Sequence, residues 1–141
     1  MITAVDTSIL LDVFLADPVH GPASREAMRS ARAEGSLVAC EIVWAEVAPS
    51  FPSGDAATGA LDRLHVGFSP CRPEAALASG PAWKAYRARR GPRQRVIADF
   101  LIGAHALLQA DRLLTRDRGF YRRYFRELRV VDPSVPGGRR R

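Results

Sequence analysis

The chain alternates short apolar runs with longer segments in which apolar residues recur at helical spacing. Apolar runs predict strands, and they lie at residues 2–5, 36–40, 66–71, 112–115 and 128–131, the third being the weakest. Helical spacing predicts helices at residues 8–16, 22–34, 42–48, 55–65, 73–90 and 96–108, and a helical turn at 119–125. Because strands separated by helices pair in parallel, this order predicts an α/β fold whose central, mostly parallel sheet of four to five strands is flanked by helices.

The strongest helical pattern carries one acidic residue. Its apolar stripe consists of Val96, Ile97, Phe100, Leu101, Ala104, Leu107 and Leu108. Asp99 is the only acid in this helix, so the pattern predicts a partly buried carboxylate, which is costly without a cation or a hydrogen-bond donor. Gly103 and Ala106 follow one and two turns later on the same face and would leave room for a ligand. A helix cap or an ion pair with Arg95 would also explain Asp99.

Length and composition describe an ordinary folded protein. The 141 residues fit one domain, and 47% hydrophobic with 26% charged residues is a typical globular balance. We expect a single domain over residues 1–132 and a basic, flexible tail over residues 133–141. No run approaches the roughly 18 apolar residues that span a bilayer, and the amino terminus reaches Asp6 without a positive leader. These features predict a cytoplasmic protein with no membrane partner.

The charge balance favours a polyanionic partner. The formal net charge is +6, and Lys84 is the only lysine among the 21 basic residues. Arginine binds phosphate through its planar guanidinium group, which favours a nucleic acid. A GC-rich genome would produce the same excess of arginine, so both explanations stay open.

The two cysteines give no sign of a site. Cys40 and Cys71 lack the spacing of paired metal ligands, and the chain has only three histidines. We therefore expect both cysteines to be small buried hydrophobic residues with free thiols. Neither a disulfide nor a zinc site is predicted.

Four separate segments carry an acid near the same predicted edge of the sheet. Asp6 ends the first strand, and Asp117 follows the strand at 112–115 by two residues. Glu46 lies about one helical turn past the second strand, and Asp99 lies early in the strongest helix. Sites of parallel α/β sheets form at the carboxyl ends of the strands. Taken singly, Asp6 is explained as a helix cap, Asp117 as a turn residue and Glu46 as a solvated residue.

A cluster of these acids would require a cation. Two like charges about 4 Å apart repel by ~4 kcal/mol at an effective dielectric constant near 20. Magnesium and manganese ions take carboxylate oxygens, keep several waters and leave positions for a substrate phosphate. Such ions generate a nucleophile from water and stabilise the leaving oxygen during displacement at phosphorus. An acidic pocket in a basic protein therefore favours metal-dependent cleavage of a nucleic acid.

Four motifs resemble those of the PIN-domain family of nucleases. They read Val5-Asp6-Thr7-Ser8-Ile9-Leu10-Leu11, Val43-Trp44-Ala45-Glu46-Val47, Ala98-Asp99-Phe100-Leu101-Ile102-Gly103-Ala104-His105-Ala106 and Leu114-Thr115-Arg116-Asp117-Arg118-Gly119-Phe120. Their wording and the chain length are most similar to VapC-type toxins of type II toxin–antitoxin pairs, over essentially residues 1–132. The resemblance implies a PIN-like three-layer sandwich with the acids at one end of the sheet.

The resemblance also implies roles for individual residues. Asp6, Glu46, Asp99 and Asp117 would be the catalytic residues and the ligands of one or two Mg²⁺ or Mn²⁺ ions. Ser8 and Thr115 would orient carboxylates or waters from outside the ligand set. The activity would be endonucleolytic cleavage of RNA by a metal-activated water. Such toxins form homodimers and are silenced by a cognate antitoxin that lies across a groove near the site.

Other residues near the motifs are candidates for contacts with these partners. The arginines that could bind RNA are Arg89, Arg90, Arg93, Arg116 and Arg118, and those nearest the motifs are Arg93, Arg116 and Arg118. Large apolar residues on short helices form a candidate antitoxin groove, although plain core packing is the favoured explanation for them: Leu11, Phe14, Trp44, Val47 and Phe51. Glu41 departs from the family pattern and would either adjust metal affinity or point to solvent. Asp12 lies outside the motifs, and we expect a surface or capping residue there.

Three alternatives to a toxin remain. The chain would also fit a PIN-type nuclease of RNA processing or a catalytically silent PIN module that binds RNA or protein. Retention of all four acids argues against the silent module. A phosphotransfer domain fits poorly, because Ser8 stands where a haloacid-dehalogenase phosphatase needs an acid, and no lysine follows Lys84 as a receiver domain would require.

Overall fold

The strands and helices follow the predicted order along the chain. The computed structural model describes residues 1–89 and 95–134. The strands are Ile2–Val5 (β1), Ser36–Ala39 (β2), Val66–Phe68 (β3), Arg112–Leu114 (β4) and Val130–Val131 (β5). The α-helices are Thr7–Phe14 (α1), Gly21–Glu34 (α2), Glu41–Val47 (α3), Gly54–Arg63 (α4), Pro73–Arg89 (α5), Ile97–Gln109 (α6) and Arg118–Tyr124 (α7), and a 3₁₀ turn covers Ala48–Ser50.

The five strands form one parallel sheet in the order β3-β2-β1-β4-β5. Strand β1 lies at the centre, where Ala4 stands opposite Val38 of β2 and Leu113 of β4. This arrangement confirms the predicted α/β fold with its central parallel sheet. Because all strands run in the same direction, the residues that follow β1, β2 and β4 meet at one edge.

The core lies between the central strands and the helices that pack on them. The largest side chains that are almost fully buried include Ile9, Leu10, Phe100, Leu113 and Tyr121. Burial of one such apolar side chain contributes about 1.5–3 kcal/mol to folding. The central strands and the first turns of α1 and α6 are thereby held in fixed positions, and two of the predicted acids, Asp6 and Asp99, lie at the starts of α1 and α6.

The buried residues of helix α6 differ from the apolar stripe that the sequence pattern predicted. Its buried residues are Phe100, Ile102, Gly103, Ala104, His105 and Ala106. Val96, Ile97 and Leu108 are 61%, 43% and 49% exposed, so the predicted stripe is wrong at these positions. Helix α6 contacts α3 and α5 as well as β4, and a helix covered on several sides does not follow a single apolar face.

The small residues on α6 make room for a protein side chain rather than for a ligand. A Cβ atom added to Gly103 would lie 2.5 Å from Cε2 of Phe125. The ring of Phe125 therefore occupies the space that the sequence pattern assigned to a ligand. Ala106 is fully buried in the same helix. The predicted ligand space on this face is wrong.

Element ends differ from the prediction by a few residues. The third strand ends at Phe68 rather than at residue 71, so Cys71 lies in the segment between β3 and α5. Arg90, Arg93, the rest of the predicted loop at 91–93 and tail residues 135–141 lie outside the described residues. Within the described parts of the chain, the helices are too short or too polar to cross a membrane.

Candidate functional site

The carboxyl edge of the sheet opens into a pocket of about 640 Å³. The residues that line it are Asp6, Thr7, Ser8, Glu46, Arg95, Val96, Asp99, Arg116 and Asp117. All four acids predicted from the sequence are among them, although they come from four separate segments. The structure thus brings these acids to one edge of the sheet, and their roles as ligands or catalytic groups stay predictions.

Asp6 is the most deeply buried acid of the pocket. It follows β1 directly, stands at the start of α1 and is 7% exposed. One of its oxygens, Oδ1, accepts a hydrogen bond from the N–H of Thr7 at 2.7 Å. The other, Oδ2, accepts one from the hydroxyl of Thr115 at 2.7 Å, and the hydroxyl of Tyr121 lies 3.4 Å away. Asp6 therefore caps a helix and also faces the pocket.

The buried position of Asp6 changes its acidity. Burial raises the pKa of Asp6 from 3.8 to about 6, and the negative charges of Asp99 and Glu46 add to the rise. The hydrogen bonds from Thr115 and Thr7 oppose it, because they stabilise the ionised carboxylate. A nearby cation would favour the ionised form and reverse the shift.

Asp99 lies in the first turn of α6 and is half-buried. Burial is the main cause of its raised pKa, and the charges of Glu46 and Asp117 add to it. The charge of Arg95 and the N–H of Val96 act in the opposite direction. Burial is thus the main cause of the raised pKa of both Asp6 and Asp99, and the negative charges of the other acids add to it.

Arg95 pairs with Asp117 rather than with Asp99. Its Nη1 lies 2.6 Å from Oδ2 of Asp117, and its guanidinium carbon lies 4.4 Å from the ring centre of Phe120. The backbone N–H of Arg95 donates to the hydroxyl of Tyr86 at 2.5 Å. Sequence reasoning considered Arg95 only as a partner of Asp99 and did not assign it to the site. The only sequence feature that pointed to Arg95 was its position just before the helix that carries Asp99.

Hydroxyl groups link the acids in pairs. The hydroxyl of Thr115 donates to Asp6 and accepts from the N–H of Asp117 at 3.0 Å. The hydroxyl of Thr7 donates to Oε1 of Glu46 at 2.7 Å. These contacts are of the kind expected of a residue that orients carboxylates, and the orienting role that the family resemblance implies for Thr115 stays a prediction. Thr7 was missed by sequence reasoning, and its only signal was its position in the first motif.

The donor set fits hard divalent cations. Four carboxylates line the pocket, and the buried hydroxyl of Ser8 beside them has no hydrogen-bond partner among the described residues. Oxygen donors of this kind suit Mg²⁺ or Mn²⁺. No three of the acids bring their oxygens within 4.8 Å of one another; in the described part of the chain only Cys40, Glu41 and Cys71 do so with their donor atoms. The acids therefore form an open site that waters and substrate oxygens would complete.

Arg116 is the second arginine of the pocket, and Asp12 holds it in place. Its Nε and Nη2 lie 2.7 and 3.0 Å from the two oxygens of Asp12. Asp12 is 4% exposed and also accepts from the hydroxyl of Ser24 at 2.7 Å, so the expected surface position is wrong. Arg118 is half-buried and is not among the residues that line the pocket. Arg93, the remaining candidate, lies outside the described residues.

Glu41, the additional acid of the second motif, does not line the acidic pocket. Its two carboxylate oxygens accept from the N–H of Cys71 at 3.0 and 3.2 Å. The pKa of Glu41 is lowered because these hydrogen bonds outweigh the effect of burial. The sequence suggested that Glu41 would either adjust metal affinity in the acidic pocket or point to solvent. Its carboxylate instead binds the backbone of Cys71.

The predicted antitoxin groove is wrong at one residue and is largely filled by contacts within the chain. Val47 is fully buried in the core and cannot line a surface groove. The rings of Phe14 and Phe51 pack edge to face with centres 5.0 Å apart. Trp44 packs in the same way on Phe68, at 5.2 Å. The remaining member, Leu11, is half-buried against the core.

A second pocket, of about 380 Å³, combines apolar side chains with basic ones. Its lining residues come from α1, α2, β2 and the end of α4: Val13, Arg25, Met28, Arg29, Arg32, Leu37, Arg63, Leu64 and His65. Sequence reasoning missed this surface, because its arginines are spread over separate helices. Hereafter it is called the basic groove.

Comparison with known proteins identifies relatives of this fold and motif set. The model of the PIN domain family matches residues 3–126. No curated protein matches the chain by sequence.

Three solved structures illustrate the likeness. VapBC2 from Rickettsia felis, bound to a DNA fragment from its promoter, is 16% identical with a TM-score of 0.72, over 94% of this chain and 98% of that one. VapBC-1 from nontypeable Haemophilus influenzae is 19% identical with a TM-score of 0.71, over 96% and 100%. VapC20 from Mycobacterium tuberculosis, described as a sarcin–ricin loop cleaving toxin, is 18% identical with a TM-score of 0.58, over 90% and 98%. At these identities the likeness establishes the fold.

Proposed function

The chain belongs to the PIN-domain family, and from this premise we propose that it is a divalent-metal-dependent endoribonuclease that acts as the toxin of a toxin–antitoxin pair. The observation that carries the proposal is the acidic pocket, where four carboxylates from four segments line one space of about 640 Å³. The names of the similar structures, two VapBC complexes and a loop-cleaving toxin, support the toxin assignment.

RNA is the substrate that best fits the charges around the pocket. The chain carries a net charge of +6, and Arg95 and Arg116 stand beside the acids. Arg116 is held by Asp12 through two hydrogen bonds, so its guanidinium is fixed at the pocket before a phosphate arrives. Fixed positive charge next to a metal site favours a phosphodiester bond at that point.

Asp6, Glu46, Asp99 and Asp117 are the residues that would hold the ion or ions. When bound, Mg²⁺ or Mn²⁺ supplies the positive charge that activates water and stabilises the leaving oxygen. The chain's own hydroxyl groups keep the acids in place: Thr115 fixes Asp6, and Thr7 fixes Glu46. Arg95 neutralises Asp117 in the absence of other cations and would turn to a substrate phosphate when Asp117 binds an ion.

The basic groove is the surface that we assign to the antitoxin. Its arginines would pair with acidic side chains, while Val13, Met28 and Leu64 would receive apolar ones. The expected occupant is therefore an acidic, amphipathic segment of the antitoxin. The homodimer implied by the family resemblance stays a prediction, as do the domain limits 1–132 and 133–141.

The nuclease proposal is tested with purified protein and total cellular RNA in the presence and absence of Mn²⁺. We expect Mn²⁺-dependent cleavage that the Asp6→Ala variant lacks. The matched control is Asp55→Ala, which removes an exposed aspartate from the first turn of α4 and should cleave like the wild type. Failure of the folded wild-type protein to cleave would favour a silent PIN module.

Expression in a bacterial host separates a toxin from a processing nuclease. A toxin arrests growth, and co-expression of the product of the neighbouring gene restores it. Cleavage without growth arrest would favour RNA processing. Reversal of two charges in the basic groove, Arg25→Glu with Arg63→Glu, should weaken the rescue, whereas Arg122→Glu at an exposed position of α7 should not.

A further inference from the structure

A second group of metal-binding side chains lies apart from the acidic pocket. Cys40 follows β2 directly, Glu41 begins α3, and Cys71 lies between β3 and α5. The two sulfur atoms and a carboxylate oxygen all lie within 4.8 Å of one another. The fold thus brings together three donor atoms, one of them from a segment 30 residues away in the chain.

The segment that carries Cys71 is held from two helices. The N–H of Cys71 donates to Glu41 of α3 at 3.0 Å. On the side of α6, the ring Nε2 of His105 lies 2.9 Å from the hydroxyl of Ser69. Gln109 of α6 donates to the carbonyl of Pro70 at 3.0 Å and accepts from the N–H of Arg72 at 2.9 Å. Because these bonds fix the segment on both sides of Cys71, the three donor atoms are preorganised for a ligand.

We propose that Cys40, Glu41 and Cys71 bind a zinc ion, with a water molecule in the fourth position. Zinc takes sulfur at about 2.3 Å and carboxylate oxygen at about 2.0–2.2 Å, in tetrahedral geometry. Ligands of such a site stand roughly 3–4 Å apart, which small side-chain rotations reach from a spacing below 4.8 Å. Each thiol gives its proton to solvent as the ion binds.

Donor chemistry separates this site from the acidic pocket. Two thiolates select a softer ion such as Zn²⁺, whereas a set made only of oxygen donors suits Mg²⁺ or Mn²⁺. Cys71 and Glu41 are half-buried and Cys40 is buried, so the ion would reach the group from the Cys71 side. His105 is buried, and the same burial lowers its pKa, which keeps the ring neutral beside the bound cation.

Zinc binding requires the loss of one proton from each thiol. The observation that favours the ion is the proximity of the two sulfur atoms to an oxygen of Glu41. Zinc would join the start of α3 to the segment before α5. The site stands whether or not the chain is a nuclease.

The test uses Co²⁺ as a spectroscopic probe of the full, reduced chain. We expect one Co²⁺ ion per chain to bind at the cysteines and to give a sulfur-to-cobalt charge-transfer band and the intense visible bands of a tetrahedral ion, whereas Co²⁺ in the acidic pocket, with oxygen ligands alone, gives no such charge-transfer band. Equimolar Zn²⁺ should remove these bands, and excess Mg²⁺ should not. The Cys71→Ser variant should lose most of the charge-transfer band and weaken Co²⁺ binding by at least about tenfold.

Two controls keep the outcome specific. A double variant in the acidic pocket, Asp6→Asn with Asp99→Asn, should keep the charge-transfer band and the visible bands of the wild type. Thermal unfolding of Cys71→Ser without metal should resemble that of the wild type, which excludes loss of folding as the cause. Because neither readout measures cleavage, failure here and failure of the nuclease proposal are distinguishable.

Three results would overturn the zinc site. The wild-type protein could show only the weak bands of octahedral Co²⁺, or Cys71→Ser could keep the full charge-transfer band. The third is a reduced protein that gives no charge-transfer band with Co²⁺ but loses both free thiols on mild oxidation, with a mass that falls only by two hydrogens. That outcome would identify the pair as a disulfide former instead.

Discussion

Arg95 places a guanidinium nitrogen 2.6 Å from a carboxylate oxygen of Asp117. Among the described residues, Asp117 is thus the one acid of the pocket that forms an ion pair with an arginine, while Asp6 is held by hydroxyl and N–H groups. An incoming cation must share or displace Arg95 to use Asp117. The pocket therefore balances a resident cation against the ions that it is proposed to bind.

Replacement of Arg95 should tighten metal binding. In Arg95→Gln the ion no longer competes with the guanidinium for Asp117. A partly exposed ion pair contributes about 0.2–1 kcal/mol, so we expect the Mn²⁺ dissociation constant to fall by a factor of about 1.4 to 5. Calorimetric titration of the RNA-free protein with Mn²⁺ measures this dissociation constant. Arg122→Gln is the control, because Arg122 is exposed. An unchanged or weaker affinity would show that Asp117 takes no part in the first binding step.

Replacement of Asp99 should separate activity from stability. Asp99→Asn removes one charge from the acidic pocket and keeps the side-chain shape, so cleavage should be abolished while the metal-free protein is as stable or more stable. Cleavage assays with Mn²⁺ and thermal unfolding with a chelator measure the two effects. Asp55→Asn is the control, since Asp55 also lies in the first turn of a helix, α4, but is exposed. Full turnover by Asp99→Asn would remove Asp99 from the site.

The raised pKa of Asp6 makes stability depend on pH. Its pKa is about 6 in the folded chain against 3.8 as the ordinary value, so the folded state holds the proton more tightly. Stability from this group is fully present below about pH 4 and is lost as the pH rises through 6, by up to about 3 kcal/mol in the chelated protein. The Asp6→Asn variant has no titrating group at this position and therefore serves as the reference.

Urea unfolding between pH 4 and 7 measures this dependence as the difference between wild type and Asp6→Asn. Asp17→Asn is the control, because hydrogen bonds from the N–H groups of His20 and Val19 lower the pKa of Asp17, so its contribution is lost only below about pH 4 and is constant over this range. If Asp6→Asn and the wild type had parallel pH profiles, the buried carboxylate would titrate as it does in water.

The buried pair of Asp12 and Arg116 should matter for both folding and RNA binding. Asp12→Asn weakens a pair in which the aspartate is 4% exposed, so we expect a loss of about 1–3 kcal/mol in the free energy of unfolding. Arg116 would then be less well fixed, which should raise KM for RNA more than it lowers kcat. The exposed Asp62→Asn is the control. A variant with unchanged KM would limit Asp12 to a structural role.

The close approach of Phe125 to Gly103 predicts a cost for any larger residue. In Gly103→Ala the new Cβ would lie 2.5–2.8 Å from three ring carbons, so we expect destabilisation by about 1–3 kcal/mol. Gly80→Ala in α5 meets open space and should instead gain about 0.5–1 kcal/mol. Chemical unfolding of both variants decides the point. A neutral Gly103→Ala would mean that the ring moves freely.

The alternation of strands and helices, the parallel pairing and the convergence of the acids were predictable from sequence. Apolar runs separated by helical segments imply parallel strands, and parallel strands end at one edge of a sheet. Asp6 and Asp117 follow two such strands, so their approach required no knowledge of helix packing. Glu46 lies near the end of the short helix α3, which follows β2, and Asp99 lies in the first turn of α6. Both were located by the motif pattern.

Contacts between helices and loops were not predictable in the same way. The burial of His105 and the exposure of Leu108 follow from the neighbours of α6, which the periodicity of α6 alone does not contain. The choice of Asp117 rather than Asp99 as partner of Arg95, and the bond of Thr7 to Glu46, depend on which rotamers meet across separate segments.

The sequence by itself therefore determined the fold class and the edge at which acids collect, because both follow from local periodicity and strand direction. Only the tertiary structure decided that Cys40 lies beside Cys71, that Asp12 is buried and that arginines from separate helices form one basic groove. The physical reason is that these contacts depend on distances between segments remote in the chain. Such distances are fixed by packing of the whole core, to which every segment contributes.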